Sequence, residues 1–133
     1  NLVNIIYSGI IVNMGDGVTI LLIESEASRA MALRLSAERM GAKLFDFSQV
    51  ESMDYFINDL EPSVIMINVE QFLGELPLLL ALAHARNISV TLYGPSEKRH
   101  IDIMAEWGDN LRISYEEFPL RPLEMFKRIL GNG

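Results

Sequence analysis

The feature that most constrains this chain is an alternation of short apolar runs with segments of helical spacing. Residues 18–23, 64–67 and 88–93 read as strands with little or no polar face. Such runs suit strands covered on both sides, as in a parallel sheet flanked by helices. Residues 43–47 read as a further short strand, and at 111–115 Leu111, Ile113 and Tyr115 alternate with Arg112 and Ser114, the pattern of a half-buried strand. Between them, 27–40, 50–60, 76–86, 97–107 and 123–130 read as helices, closed by Gly41, Pro62, Gly108 and Gly131. Strands alternating with helices of this length form right-handed βαβ crossovers, and hence an α/β doubly wound parallel sheet. The functional crevice of such a sheet lies at the carboxyl ends of its strands.

Composition narrows the function. The 133 residues fit one domain, expected over 18–133, with 1–17 as an N-terminal extension, tag or linker. Met14 is a candidate start, which makes 1–13 an appended remnant; the rival is an added strand or helix covering an apolar surface. With no cysteine, disulfides, thiolate metal sites and cysteine nucleophiles are excluded. The net charge of −7 argues against nucleic-acid binding, which draws its affinity from neutralising phosphates. No apolar run is long enough for a bilayer, and the first residues lack the basic segment of a signal peptide. His84 and His100 have no evident ligand or nucleophile partner and read as surface residues. Met31, Met40, Met53, Met66, Met104 and Met125 read as core filler.

The strand ends carry the specific signal. The first ends in Glu24-Ser25-Glu26, the third in Asn68, the fourth in Tyr93-Gly94, and Arg121-Pro122-Leu123 precedes the last helix. The run 20–26, the spacing from Gly41 through Pro62 to Asn68, and Arg121-Pro122-Leu123 together resemble the receiver domain of response regulators, the CheY-like superfamily. The resemblance covers 18–130 and implies a flavodoxin-like sheet in strand order 2-1-3-4-5. It aligns Glu24 and Ser25 with the family's acidic pair, Asn68 with its phosphoacceptor aspartate, Gly94 with its Thr or Ser, and Arg121 with the Lys of its Lys-Pro-Phe signature. Phe118 falls where the family has an aromatic on its last strand. Phe72 stands where it usually has a proline. The stretch from Gly108 to Arg121 exceeds the family's spacing, and Pro119 disfavours a regular strand at 118–120. The fifth strand is therefore expected at 111–115, with 116–120 inserted, and the placement of Arg121 stays open.

Receiver chemistry needs a nucleophilic carboxylate, acids to hold magnesium, and a hydroxyl and a lysine for the phosphoryl oxygens. An amide such as Asn68 is a poor nucleophile and a weak magnesium ligand. Ser25 removes a second acid, Gly94 the hydroxyl, and Arg121 the compact charge of lysine. The sequence thus predicts a pseudo-receiver: no enzyme, no metal, no cofactor, and a cytoplasmic, bacterial two-component signalling module that binds proteins without phosphorylation. The expected partner is a kinase, an output domain or a second copy. Its expected docking face is the fourth helix, fifth strand and fifth helix, with Ile103, Trp107, Tyr115 and Phe118; the plainer reading has Trp107 sealing the sheet edge. Glu106, Asp109, Glu116, Glu117 and Glu124 give that end an acidic cast, suited to solvation or to steering a basic partner. Arg121 has two readings, a salt bridge to Glu24 in the vacated metal site or a solvated side chain. The competing functions are a sensor of a small ligand, such as a cyclic dinucleotide, and a still-active acceptor using Glu70.

Overall fold

The computed structural model describes residues 17–96 and 98–131, of which 98–100 for their backbone alone, and the backbone of residues 5–7 and 10–12. The latter form β1 (Ile5–Tyr7) and β2 (Ile10–Val12), an antiparallel pair that makes a sheet of its own. Met14 lies outside the described residues.

The main body alternates strand and helix. In order it comprises β3 (Thr19–Ile23), α1 (Ala27–Arg39), β4 (Lys43–Phe47), α2 (Met53–Leu60) and β5 (Val64–Asn68). There follow α3 (Leu76–Ala85), β6 (Ser89–Gly94), α4 (Lys98–Trp107), β7 (Ile113–Glu117) and α5 (Pro122–Gly131). The five strands are all parallel and ordered β4-β3-β5-β6-β7, the doubly wound order expected from the sequence.

The core lies on both faces of the sheet because β3 and β5 carry apolar side chains in both directions. Leu21, Ile23, Ile65 and Ile67 face the side covered by α2 and α3, with Leu79, Leu80 and Ile57. Ile20, Leu22 and Met66 face the other side, against Ala30, Leu33 and Ala37 of α1 and Met125 and Phe126 of α5. The outer strands β4 and β7 mix buried or half-buried positions with exposed ones, as edges with solvent on one flank do. Helix boundaries follow local chemistry. Gly41, at φ 90°, lets the chain leave α1. Helix α2 begins at Met53 and not at residue 50, because Ser52 sits in the left-handed region at φ 63°. Val50 still packs on the core from the turn before it.

Two expectations need correction. The fifth strand runs from Ile113 to Glu117, so 116–117 are strand and not insertion. Leu111, expected to open it, is buried one turn after α4, with its N–H bonded to the Trp107 carbonyl. Met31 is not core: it is 47% exposed and its sulfur meets Arg34.

Candidate functional site

The carboxyl ends of β3, β5 and β6 converge on the side chain of Glu24. Glu24 directly follows β3, and its own N–H bonds the Phe47 carbonyl at the end of β4. This fixes the residue over the switch point between β3 and β5. The carboxylate is buried, 2% exposed as a residue. Its Oε1 accepts from the Tyr93 hydroxyl at 2.6 Å and from Asn68 Nδ2 at 3.0 Å. Its Oε2 accepts from Gln71 Nε2 at 2.7 Å, the Glu26 N–H at 2.9 Å and Arg29 Nη1 at 3.3 Å. Five donors thus surround a group with about four lone-pair sites. Burial by itself pushes the Glu24 carboxyl up, but the bonds from Tyr93, Asn68, Glu26 and Gln71 outweigh it and hold the group below the usual carboxylate range.

Asn68 closes β5 and is 1% exposed. Its Oδ1 accepts from the N–H groups of Glu70 at 3.0 Å and Gln71 at 3.3 Å. Two N–H groups on one end of the amide leave the other end, Nδ2, to donate to Glu24. An aspartate in the same place brings a second carboxylate to within hydrogen-bond distance of Glu24, where like charges disfavour each other. The amide instead adds a donor to those that, with Arg29 alongside, keep Glu24 ionised.

Tyr93 reaches Glu24 from β6. Alternation along the strand puts it on the same face as Thr91, two residues before. The ring is fully buried, and burial followed by the bond and charge of Glu24 raises its hydroxyl well above the ordinary tyrosine range. It is therefore a permanent donor. Gln71 ties two loops together: while its amide nitrogen donates to Glu24, its Oε1 accepts the Ser25 N–H at 2.8 Å. Arg29, from the first turn of α1, also reaches Glu26 Oε1 at 3.6 Å and lies 4.8 Å above the Phe118 ring. Phe118 in turn stands edge-on to Tyr93, ring centres 6.2 Å apart.

The structure brings Glu24 and Asn68 into direct contact, and Ser25 joins them through its backbone. Gly94, the last residue of β6, lies beside Tyr115. A Cβ at 94 falls 3.0 Å from the Tyr115 hydroxyl, which donates to the Pro95 carbonyl at 2.8 Å. Any side chain at 94 therefore requires the Tyr115 hydroxyl to give way by a few tenths of an ångström. Arg121 is not in the site. Its side chain is 77% exposed and its ion pair is with Glu124, one turn along α5. The X-Pro pair that directly follows the fifth strand is Phe118-Pro119, whose ring lies beside Tyr93 and under Arg29, and Arg29 from α1 supplies the positive charge at Glu24.

The expected docking residues are all half-buried. Ile103, Trp107 and Tyr115 are half-buried against the core on the α2–α3 side, whereas Phe118 packs on the opposite side. Trp107 also stands edge-on to His84, centres 6.3 Å apart, and His84 Nδ1 donates to the Asn110 carbonyl at 2.8 Å. Among the described residues of α4, the large apolar side chain exposed is that of Ile101, at 60%. Of the acidic residues at this end, Glu116 pairs with Arg128 and Glu124 with Arg121.

The magnesium ion of receiver domains does not fit this donor set. A cation needs free anionic oxygens pointing at it, but every direction around Glu24 is taken by an N–H or O–H donor, and Asn68 presents its NH2 group. Among the described residues no group of three or more His, Asp or Glu side chains could hold a metal.

Sequence reading did not single out Tyr93, Gln71 or Arg29 for this site. Their signals were weak. Tyr93 stood next to the residue under scrutiny, Gln71 three positions after Asn68, and Arg29 in a row with Arg34 and Arg39. Which of them turned inward depended on strand facing and helix phase.

No protein-family model matches the sequence, and no curated protein matches it closely. Its likeness to solved structures is clear. A response regulator from Clostridium difficile aligns with TM-score 0.70 at 13% identity, over 84% of this chain and 92% of its own. A response regulator from Thermotoga maritima gives 0.69 at 14% identity, over 86% and 98%. The receiver protein from Burkholderia phymatum gives 0.67 at 12% identity, over 86% and 95%. Identities this low establish architecture alone, and on that ground the chain has the flavodoxin-like fold of response-regulator receiver domains, in strand order 2-1-3-4-5.

Proposed function

We propose that this chain is a pseudo-receiver, a phosphorylation-independent protein-interaction module of a two-component-type system. One observation carries the reading. The amide of Asn68 stands at the end of β5 and donates to Glu24, whose carboxylate is already saturated by Tyr93, Gln71, Glu26 and Arg29. That arrangement supplies neither the nucleophile nor the open metal face that phosphoryl acceptance needs. Gly94 without a hydroxyl and Phe118 at the strand end remove the groups that would hold the phosphoryl oxygens. Glu70 is exposed beyond the strand, with its N–H on Asn68, and is poorly placed as a substitute acceptor.

On this reading the chain is not an enzyme, needs no cofactor, works in the cytoplasm of a bacterium and binds a kinase, an output domain or a second copy of itself. The α4–β7–α5 end is the proposed docking side, with Ile101 as its exposed apolar contact. It is not a nucleic-acid binder, given its charge of −7. Among the described residues, no helix is long and apolar enough to cross a membrane. The runner-up, a ligand-sensing domain, draws no support from the Glu24 crevice, because its donors are engaged with one another.

The test is an amide NMR titration with magnesium and beryllofluoride, then with acetyl phosphate. The expected result is no saturable shift around Asn68. A saturable shift at 24–26, 68–71 and 93–95 overturns the reading.

A further inference from the structure

At the opposite end of the sheet, the amino ends of β5, β6 and β7 and the last turn of α5 enclose a groove of about 710 Å³. That is within the range of small-molecule sites, roughly 300–1,000 Å³. Its floor is hydroxylated where a covered sheet face is normally apolar. Thr91 of β6 is 3% exposed and its hydroxyl lies 3.2 Å from that of Ser114 on β7. Ser89 lies two residues before Thr91, on the same face of the strand. Apolar walls come from Val64, Ile129 and Leu130.

The charged side chains of the groove's lining are all basic. Three arginines line it, Arg86, Arg112 and Arg128, and its described lining residues include no Asp or Glu, although the chain carries −7 overall. Arg86 is braced by Asp54 at 2.7 Å and Asn58 at 2.9 Å, and Arg128 by Glu116; none of these partners lines the groove. Arg112 is less committed. Among the described residues the polar contact of its side chain is the Asn87 carbonyl at 3.4 Å. Guanidinium groups match the oxygens of a phosphate in geometry as well as charge. Hydroxyls at Ser89 and Ser114 offer both donors and acceptors for a polar organic body.

We propose that this groove is a binding site for a small phosphomonoester of about mononucleotide size, its phosphate held by Arg112 at the rim and its body laid between the hydroxyl floor and α5. The site shares no residue with the Glu24 crevice, so the two readings stand or fall separately.

The experiment is an amide NMR titration of the full chain with AMP, inorganic phosphate and adenosine. AMP is expected to give saturable shifts at Ser63, 89–91 and 112–114, phosphate a weaker response at the same amides, and adenosine none. Arg112→Ala is expected to weaken AMP at least about tenfold, the loss of one charge-assisted contact. Arg112 is exposed, so the variant keeps the wild-type melting temperature, and Arg112→Lys recovers part of the affinity. Three outcomes each overturn the proposal. One is no saturable response to AMP or phosphate up to about 10 mM, the weak limit of a useful site. The others are an AMP affinity unaltered by Arg112→Ala, and an adenosine response equal to that of AMP.

Discussion

A buried carboxylate needs a reason to stay ionised, and at Glu24 the reason is the set of donors aimed at it. Removing the charge leaves Tyr93, Asn68 and Gln71 with no anion to donate to, so Glu24→Gln is expected to cost about 2–4 kcal/mol at neutral pH, the range for breaking a buried charged network. The pH dependence has a definite sign. The folded carboxyl titrates below its unfolded value of about 4.3, so its stabilising effect is complete above that pH and fades as the pH drops through the folded value. Urea unfolding of wild type and Glu24→Gln should therefore differ most near neutrality and converge as the pH falls through the folded value. Asn68→Asp tests the same balance from the other side. It sets two carboxylates against each other and is expected to lower stability by about 1–3 kcal/mol at neutral pH. Acceptance of phosphate is not restored, since Gly94 and Phe118 are unchanged; radiolabel transfer from acetyl phosphate checks the second half of that statement.

At the level of elements, the Tyr115 hydroxyl links β7 to the residue that follows β6. Tyr115 bonds Pro95 from the space beside Gly94. A serine at 94 must push it aside. Gly94→Ser alone is expected to destabilise by about 1–2 kcal/mol, and Tyr115→Phe, which lacks the obstructing oxygen, to recover at least half of that in the double variant. Additive effects in urea melts contradict this coupling. Trp107 belongs to the same argument. Half-buried against the core and edge-on to His84, it holds the end of α4 in place. Trp107→Ala is expected to cost about 1–3 kcal/mol, less than a fully buried tryptophan. An unchanged urea midpoint, with lost partner binding, is the signature of a pure docking residue instead.

For the whole molecule, the sheet sets the hierarchy of stability. β3, β5 and β6 are covered on both faces, and β4 and β7 have an open flank. Hydrogen exchange should be slowest in the three inner strands, where opening requires global unfolding, and at least tenfold faster in β4 and β7. The two ends of the sheet also differ in character. The carboxyl ends carry a saturated, self-contained polar network, whereas the amino ends open into an arginine-rimmed groove. The groove and the Glu24 network share no residue, so occupation of one leaves the other intact.

Strand runs, glycine stops and the order of elements were legible in the sequence because burial on both faces imposes unbroken apolar runs, whatever the partner. The identities of Glu24 and Asn68 at adjacent strand ends were legible for the same reason, since a parallel sheet aligns those ends. What the local sequence could not supply was direction. Whether Arg29 or Arg121 supplies the positive charge at Glu24 depends on the phase of α1 and on β7 ending at Glu117, ahead of Phe118-Pro119. The inward turn of Tyr93 and Gln71, and the meeting of Arg86, Arg112 and Arg128 at one groove, join residues far apart in the chain. Their juxtaposition is set by how the helices dock across the sheet, a property of packing that no short stretch of residues encodes.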